Sequence, residues 1–354
     1  MKLTIDELIK NIPYYPKAMM YGLKDGWTIL SSNENPFPPS QKVLTAILDA
    51  LPSMSRYPGG ETELKTAIAG LYRLAPEQIV IGNGSNELIE MSLKAMKDER
   101  KNRVIISEPS FAFYKIAAQV YGFEVKKAPV KDMHVDLKAF KNLIDEKTRL
   151  IFLNNPLNPA GTIFEEKAFE DFVKSIPEGI LIVVDEAYAE FAESKEFPQS
   201  IKYIENFPVI ILRTFSKAYG LAGLRVGYGL GEASLMSFLE RTKQPFSVNM
   251  VALVAARAAL SDNERLEKVL ENNKKGKQFY YKAFEELSLE YVPTEANFLL
   301  VKLGPEAEAI TKKLFDKQIL VRWLGGYGLP DYIRVTIGFM EENTHLINTL
   351  KRLL

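Results

Sequence analysis

The sequence predicts an α/β fold, with a large domain built on a mostly parallel sheet sandwiched by helices and a small α+β domain after it. Three observations lead there. Five short apolar runs recur at Ile79–Ile81, Val104–Ile106, Leu150–Leu153, Ile180–Val184 and Val209–Leu212, with helical stretches between them. Strands apolar on both faces and separated by amphipathic helices belong to a sheet covered on both sides. A long helical region with Lys and Glu on its solvated faces then spans about Met250 to Leu287. Three further strands, Ala296–Val301, Ile319–Arg322 and Tyr332–Gly338, suit the small domain. At 354 residues the chain has room for both. We take 1–30 as an N-terminal arm, 31–249 as the large domain and 250–354 as the small one, with Gln244–Asn249 where the chain leaves the large domain.

Composition excludes several functions. Forty-five Lys+Arg balance 45 Asp+Glu, so no basic field is present to hold a nucleic-acid backbone. Cysteine is absent and the two histidines are His134 and His345, which leaves no disulfide, no Cys nucleophile and no multi-histidine metal site. Chemistry falls to Lys, Arg, Tyr, Asp and Asn. Charges sit where a signal peptide needs its apolar core, and no stretch has membrane-spanning length. The expected location is the cytoplasm, with no membrane partner.

In chain order, the arm begins as a short amphipathic helix and continues through Pro13-Tyr14-Tyr15-Pro16, where proline ends the helix. Ser32–Pro39 is a rigid, turn-rich segment before a helix from about Gln41 to Leu51. Arg56–Gly60 is a loop ahead of a helix around Glu63–Tyr72. After the first apolar run, Gly82-Asn83-Gly84-Ser85-Asn86-Glu87 opens a helix, and the backbone N–H groups at such a start suit an anion. Many such turns begin helices without a ligand. The third glycine of a dinucleotide fingerprint and the lysine of a nucleotide-binding loop are both missing. Phe111 follows the second run, and its ring is either core or a platform for a flat ligand.

The third run ends in Asn154-Asn155-Pro156-Leu157-Asn158-Pro159-Ala160-Gly161, where two X-Pro turns fix the side chains. Asp185-Glu186-Ala187-Tyr188 ends the fourth. A carboxylate at the end of a buried strand needs a cation or strong donor opposite it. After the fifth comes Arg213-Thr214-Phe215-Ser216-Lys217-Ala218-Tyr219-Gly220-Leu221-Ala222-Gly223-Leu224-Arg225-Val226-Gly227-Tyr228. Lys217, between small and hydroxyl residues, can keep its amine partly deprotonated and nucleophilic, while Thr214, Ser216 and Arg225 suit an anionic phosphate beside it. Arg322 and Arg334 lie in otherwise apolar strands and require anions.

The Lys217 stretch resembles the lysine motif of pyridoxal-phosphate aminotransferases of fold type I, specifically the histidinol-phosphate aminotransferase family, whose pattern reads like TFSKAYGLAGLRVGY. The resemblance runs in order from Pro13-Tyr14 to Gly338. It implies pyridoxal 5'-phosphate as cofactor, held as a Schiff base on Lys217 with its phosphate gripped by Gly84, Ser85, Asn86, Thr214, Ser216 and Arg225. It implies Phe111 stacked on the pyridine, Asp185 on the ring N–H, and Asn158 and Tyr188 on the phenolic oxygen. Leu157 and Ala160 depart from the family's NPNNPTG while Asn158 stays in place. Tyr14, Arg322 and Arg334, with Asn158, would hold the substrate, and Tyr57 would cross the interface of a homodimer to the partner's cofactor phosphate. The implied reaction is transamination between histidinol phosphate and 2-oxoglutarate. Aromatic amino-acid aminotransferases and threonine-phosphate decarboxylases share the scaffold. A ligand-sensing module of a transcription regulator would need a DNA-binding domain attached, and the chain opens directly on the arm.

Overall fold

The structure, a computed structural model, describes residues 7–16 and 26–354. Among the described residues, fourteen strands follow in chain order: β1 (Thr28–Ile29), β2 (Ile79–Gly82), β3 (Arg103–Glu108), β4 (Glu124–Lys131), β5 (His134–Val135), β6 (Thr148–Asn154), β7 (Leu181–Asp185), β8 (Val209–Thr214), β9 (Gly227–Leu230), β10 (Tyr291–Val292), β11 (Phe298–Lys302), β12 (Ile319–Leu320), β13 (Arg322–Trp323) and β14 (Tyr332–Thr336). Eight form one sheet in the order β2-β9-β8-β7-β6-β3-β4-β5. Its centre, β8-β7-β6-β3-β4, is parallel, and β9 runs antiparallel between β8 and β2.

The apolar runs are buried on both faces because successive side chains point to opposite sides. Ile105, Ile182 and Val184 pack into the core on one face, whereas Val104, Ile106, Leu181 and Val183 pack into the core on the other. The expected α/β class with a small second sheet is what the chain adopts. That second sheet is antiparallel, in the order β10-β11-β14-β13, and its core includes Tyr280, Phe284, Leu299, Ile333 and Val335. The region expected as one helix from Met250 to Leu287 is two, Met250–Leu260 and Asn263–Glu286, because the Asp262 carboxylate accepts from the Arg265 N–H and starts the second afresh.

Of the helix expected in the arm, Glu7–Lys10 lies within the described residues. The chain re-enters at β1, which pairs in parallel with β12, and Leu30 is buried with the small-sheet core. Residues 30–35 therefore run from the small sheet across to the ends of β7 and β8. A fourth cluster joins Tyr188, Ala218, Val269, Ala296 and Phe298, with Phe37 packed against it. Among the described residues no helix is long and apolar enough to cross a membrane.

The turn after β6 is locked to the small sheet at Gly161. Its φ is +82°, its carbonyl accepts from the Glu295 N–H at 2.8 Å, and a Cβ there would collide with the Thr294 side chain. Gly161→Ala combines left-handed strain with overpacking, each costing about 1–2 kcal/mol. Urea unfolding should show a lower midpoint at unchanged slope; a midpoint equal to the parent's would contradict this packing.

Candidate active site

The carboxyl ends of the parallel strands open into a cavity of about 440 Å³, where ligands of such sheets gather. Asp185 ends β7, Thr214 ends β8, and the turn after β6 carries Asn158. Lys217 sits in the tight loop after β8, closed by the Gly220 N–H on the Lys217 carbonyl at 3.0 Å and the Leu221 N–H on the Phe215 carbonyl at 2.9 Å. Below, Arg213 pairs with Glu186 at 2.6 Å and Glu190 at 3.3 Å, tying the turn after β7 to the end of β8.

The Lys217 side chain is half-buried, but its amine lies inside the cavity and donates to the Ser32 carbonyl at 3.1 Å. Burial, reinforced by Arg334 and Arg225, lowers its pKa from 10.5 to about 8. Asp185 is pushed the other way, to about 6, mainly by burial. Against that push, its carboxylate accepts from the Tyr114 hydroxyl at 2.6 Å and the Ala187 N–H at 3.1 Å. The Tyr188 hydroxyl accepts from the Asn33 amide at 3.0 Å and the Asn158 amide at 3.3 Å, and burial raises its pKa to about 12.

One end of the cavity is an anion cradle. Arg225 donates to the Ser216 hydroxyl at 3.3 Å, and the Thr214 hydroxyl donates to Ser216 at 3.0 Å. Its guanidinium lies so close over Gly84 that a Cβ there would meet Nη2 at 2.6 Å, which brings the cation onto the start of the helix Gly84–Ala95. Ser85 and Asn86, in that first turn, line the cavity, and Asn83 makes no side-chain cap bond. A helix start, two hydroxyls and a fixed guanidinium fit a phosphate group.

Arg322 and Arg334 enter from β13 and β14, whose register sets them directly opposite each other. Arg334 donates to Asn158 Oδ1 at 2.6 Å and the Ser31 carbonyl at 2.9 Å, and Arg322 to the Pro16 carbonyl at 3.2 Å. Neither forms an ion pair among the described residues, and the buried Nε of each lacks a hydrogen-bond partner. Both guanidinium groups are therefore open to an anion.

Of the residues expected from sequence, Ser85, Asn86, Phe111, Asn158, Asp185, Tyr188, Thr214, Ser216, Lys217, Arg225, Arg322 and Arg334 line this one cavity, with Gly84 packed directly behind it. Tyr14 does not. It is 98% exposed, and its neighbour Tyr15 lines the cavity instead, 6.3 Å edge-on from Phe111. Between Pro13 and Pro16 the backbone has no helical turn, and successive side chains of such a stretch point to opposite sides. Tyr57 is also away from its own chain's cavity, exposed and stacked on Phe246 at 4.6 Å. Sequence reasoning missed Tyr15, Asn33, Tyr114 and Tyr327. For Asn33 a signal existed, since Asn33-Glu34-Asn35-Pro36 sets two turn-forming asparagines and a proline ahead of the helix Gln41–Ala50.

Residues 25–350 match the family described as aminotransferase class I and II. Histidinol-phosphate aminotransferase 2 of Pseudomonas fluorescens is 40% identical over 352 residues, covering 99% of this chain and 93% of that protein. Histidinol-phosphate aminotransferase of Caldicellulosiruptor saccharolyticus is 41% identical over 356 residues, covering 98% and 99%. Among solved structures, histidinol-phosphate aminotransferase from Sinorhizobium meliloti in complex with pyridoxal-5'-phosphate aligns with a TM-score of 0.89 at 27% identity, covering 99% of this chain and 98% of that one.

The Lys217 shift makes a stability prediction for the ligand-free protein. A lysine whose pKa falls from 10.5 unfolded to about 8 folded binds fewer protons when folded between those values, so stability rises with pH across that window. Below pH 8 the full cost of burying the ammonium is present. Lys217→Met should therefore resist urea better than the parent at pH 7, with the gap closing between pH 8 and 10.5; a gap independent of pH would contradict the shift.

Proposed function

The chain belongs to the class I and II aminotransferases, among the histidinol-phosphate aminotransferases, and from that membership we propose that it exchanges the amino group of histidinol phosphate with 2-oxoglutarate, giving imidazole acetol phosphate and glutamate in histidine biosynthesis. The enzyme depends on pyridoxal 5'-phosphate. The observation that carries the site assignment is the convergence of a phosphate cradle, a low-pKa lysine, a buried carboxylate and two arginines without an ion pair among the described residues on one cavity.

The residues fit the cofactor. Arg225, Ser85, Asn86, Thr214 and Ser216 would hold its phosphate, with Gly84 admitting the guanidinium. Phe111 would face the ring, Asp185 its ring nitrogen, and Asn158 with Tyr188 its phenolic oxygen. Bound there, the group supplies an electron sink for the pair left when the substrate Cα loses its proton. Lys217 would carry the cofactor on its Nζ, and that Nζ, inside the cavity, would serve as the base and acid for the substrate Cα proton. The burial that lowers its pKa in the ligand-free cavity to about 8 brings the amine toward the range where it could both take and return that proton. The Asp185 carboxyl, raised to about 6 mainly by burial and with Lys217 a cation acting on it, would ionise fully once a positive N–H lay directly against it. Tyr114 and the Ala187 N–H orient it.

Arg334 and Arg322 would receive the substrate's anionic group: the phosphate of histidinol phosphate, which has no α-carboxylate, or the carboxylates of glutamate. A planar guanidinium can engage either. In this reading Tyr15 takes the substrate-side position first assigned to Tyr14. The active unit is proposed as a cytoplasmic homodimer, in which the exposed Tyr57 reaches the neighbouring cofactor phosphate. The domain division at 31 and 250 is part of the same proposal.

The substrate is tested by kcat/KM with 2-oxoglutarate as acceptor. Histidinol phosphate should exceed phenylalanine and tyrosine as donor, because two guanidinium groups recognise a phosphate dianion more strongly than a single carboxylate. If an aromatic amino acid is the better donor, the assignment passes to aromatic transamination and the histidine-pathway role is lost.

A further inference from the structure

Three consecutive residues of the segment crossing from β1 touch three of the proposed functional groups. The Ser31 carbonyl accepts from Arg334, the Ser32 carbonyl from Lys217, and the Asn33 side chain donates to Tyr188. Asn33 is the most firmly fixed of them. It is buried at φ +54°, its N–H donates to the Thr336 hydroxyl at 2.9 Å, and its carbonyl accepts from the Asn297 amide at 3.1 Å. All of that fixation comes from the small-sheet side, whereas Tyr188 stands on the turn after β7.

We propose that Asn33 is a positioning residue that aims the Tyr188 hydroxyl proton into the cavity. A phenolic oxygen accepts at most two hydrogen bonds, and here both come from side-chain amides, Asn33 at 3.0 Å and Asn158 at 3.3 Å. The O–H can then point only elsewhere, and the cavity is where an acceptor would lie. Asn158 lines that cavity and its amide is assigned to the cofactor as well. When Asn158 turns to the cofactor, Asn33 remains as the donor that holds the Tyr188 oxygen. The charged and titratable groups around Tyr188 are Arg334, Asp185, Tyr327, Tyr114 and Lys217, the last 5.6 Å over its ring. None of them supplies the oxygen with a hydrogen bond. The inference rests on the reading that Tyr188 donates to the cofactor's phenolic oxygen.

That donation stabilises the phenolate, so its loss raises the pH at which the bound chromophore gives up its proton. The measurement is the visible-absorbance pH titration of the cofactor-loaded protein for the parent, Asn33→Gly, Tyr188→Phe and the double variant. Glycine keeps the left-handed backbone at this position. Asn33→Gly should raise the midpoint by on the order of one pH unit, the scale of one net hydrogen bond, and should add nothing in the Tyr188→Phe background. Asn33→Ala, neutral like the parent side chain and without a donor, provides the same cycle if the glycine variant folds poorly. A midpoint unchanged by either Asn33 variant, or a shift of equal size in the Tyr188→Phe background, overturns the proposal. If Tyr188→Phe itself leaves the midpoint unmoved, the reading of Tyr188 fails and takes the proposal with it.

Discussion

The Lys217 amine lies inside the cavity, where burial and the fields of Arg334 and Arg225 outweigh those of Glu34 and Asp185, and it is hydrogen-bonded to a peptide carbonyl rather than to a carboxylate. Burying an ammonium in that company is unfavourable, and the surrounding fold must hold it there. The tight loop after β8 supplies the constraint, and Asn35, which donates to the Lys217 and Ala218 carbonyls at 3.3 and 2.9 Å, clamps that loop from outside. The same desolvation that destabilises the ammonium makes the amine available as a nucleophile and base. Asp185 shows the complementary effect, a carboxylate kept in a buried position by two donors until a cation is placed against it.

The parallel sheet makes this arrangement possible by ending β6, β7 and β8 side by side, with Asn154 paired to Asp185 and Asp185 to Leu212. Side chains from three distant parts of the chain thus meet without long loops. The small sheet adds Arg322 and Arg334 from across the cavity, and residues 31–33 join the two halves. A displacement of the small sheet would be felt at Arg334, Lys217 and Tyr188 together, since all three contact that short segment.

The parts legible in the sequence were those with local signatures. Continuous Val, Ile and Leu runs marked the central strands, and the Lys217, Asp185 and Asn158 motifs each lay immediately after one of them. The hidden parts have non-local causes. β9, Gly227-Tyr228-Gly229-Leu230, lacks an apolar run because a Cβ at Gly227 would sit 2.8 Å from the Arg213 carbonyl and the Ser85 nitrogen. β4 carries lysines along a partly exposed surface and reads as solvated chain. Tyr114 and Asn33 find their partners 71 and 155 residues away, a pairing that only the fold reveals. The choice between Tyr14 and Tyr15 turned on which way one extended segment faces, which two adjacent tyrosines do not indicate.

Lys217 is proposed as the residue to which the cofactor attaches. Borohydride reduction of the pyridoxal-phosphate-loaded protein, followed by proteolysis and mass spectrometry, tests it directly. A single reduced adduct is expected on the peptide containing Lys217, absent from Lys217→Ala protein even where that protein still binds the cofactor through its phosphate cradle. An adduct on any other lysine, or one that survives in Lys217→Ala, would contradict it.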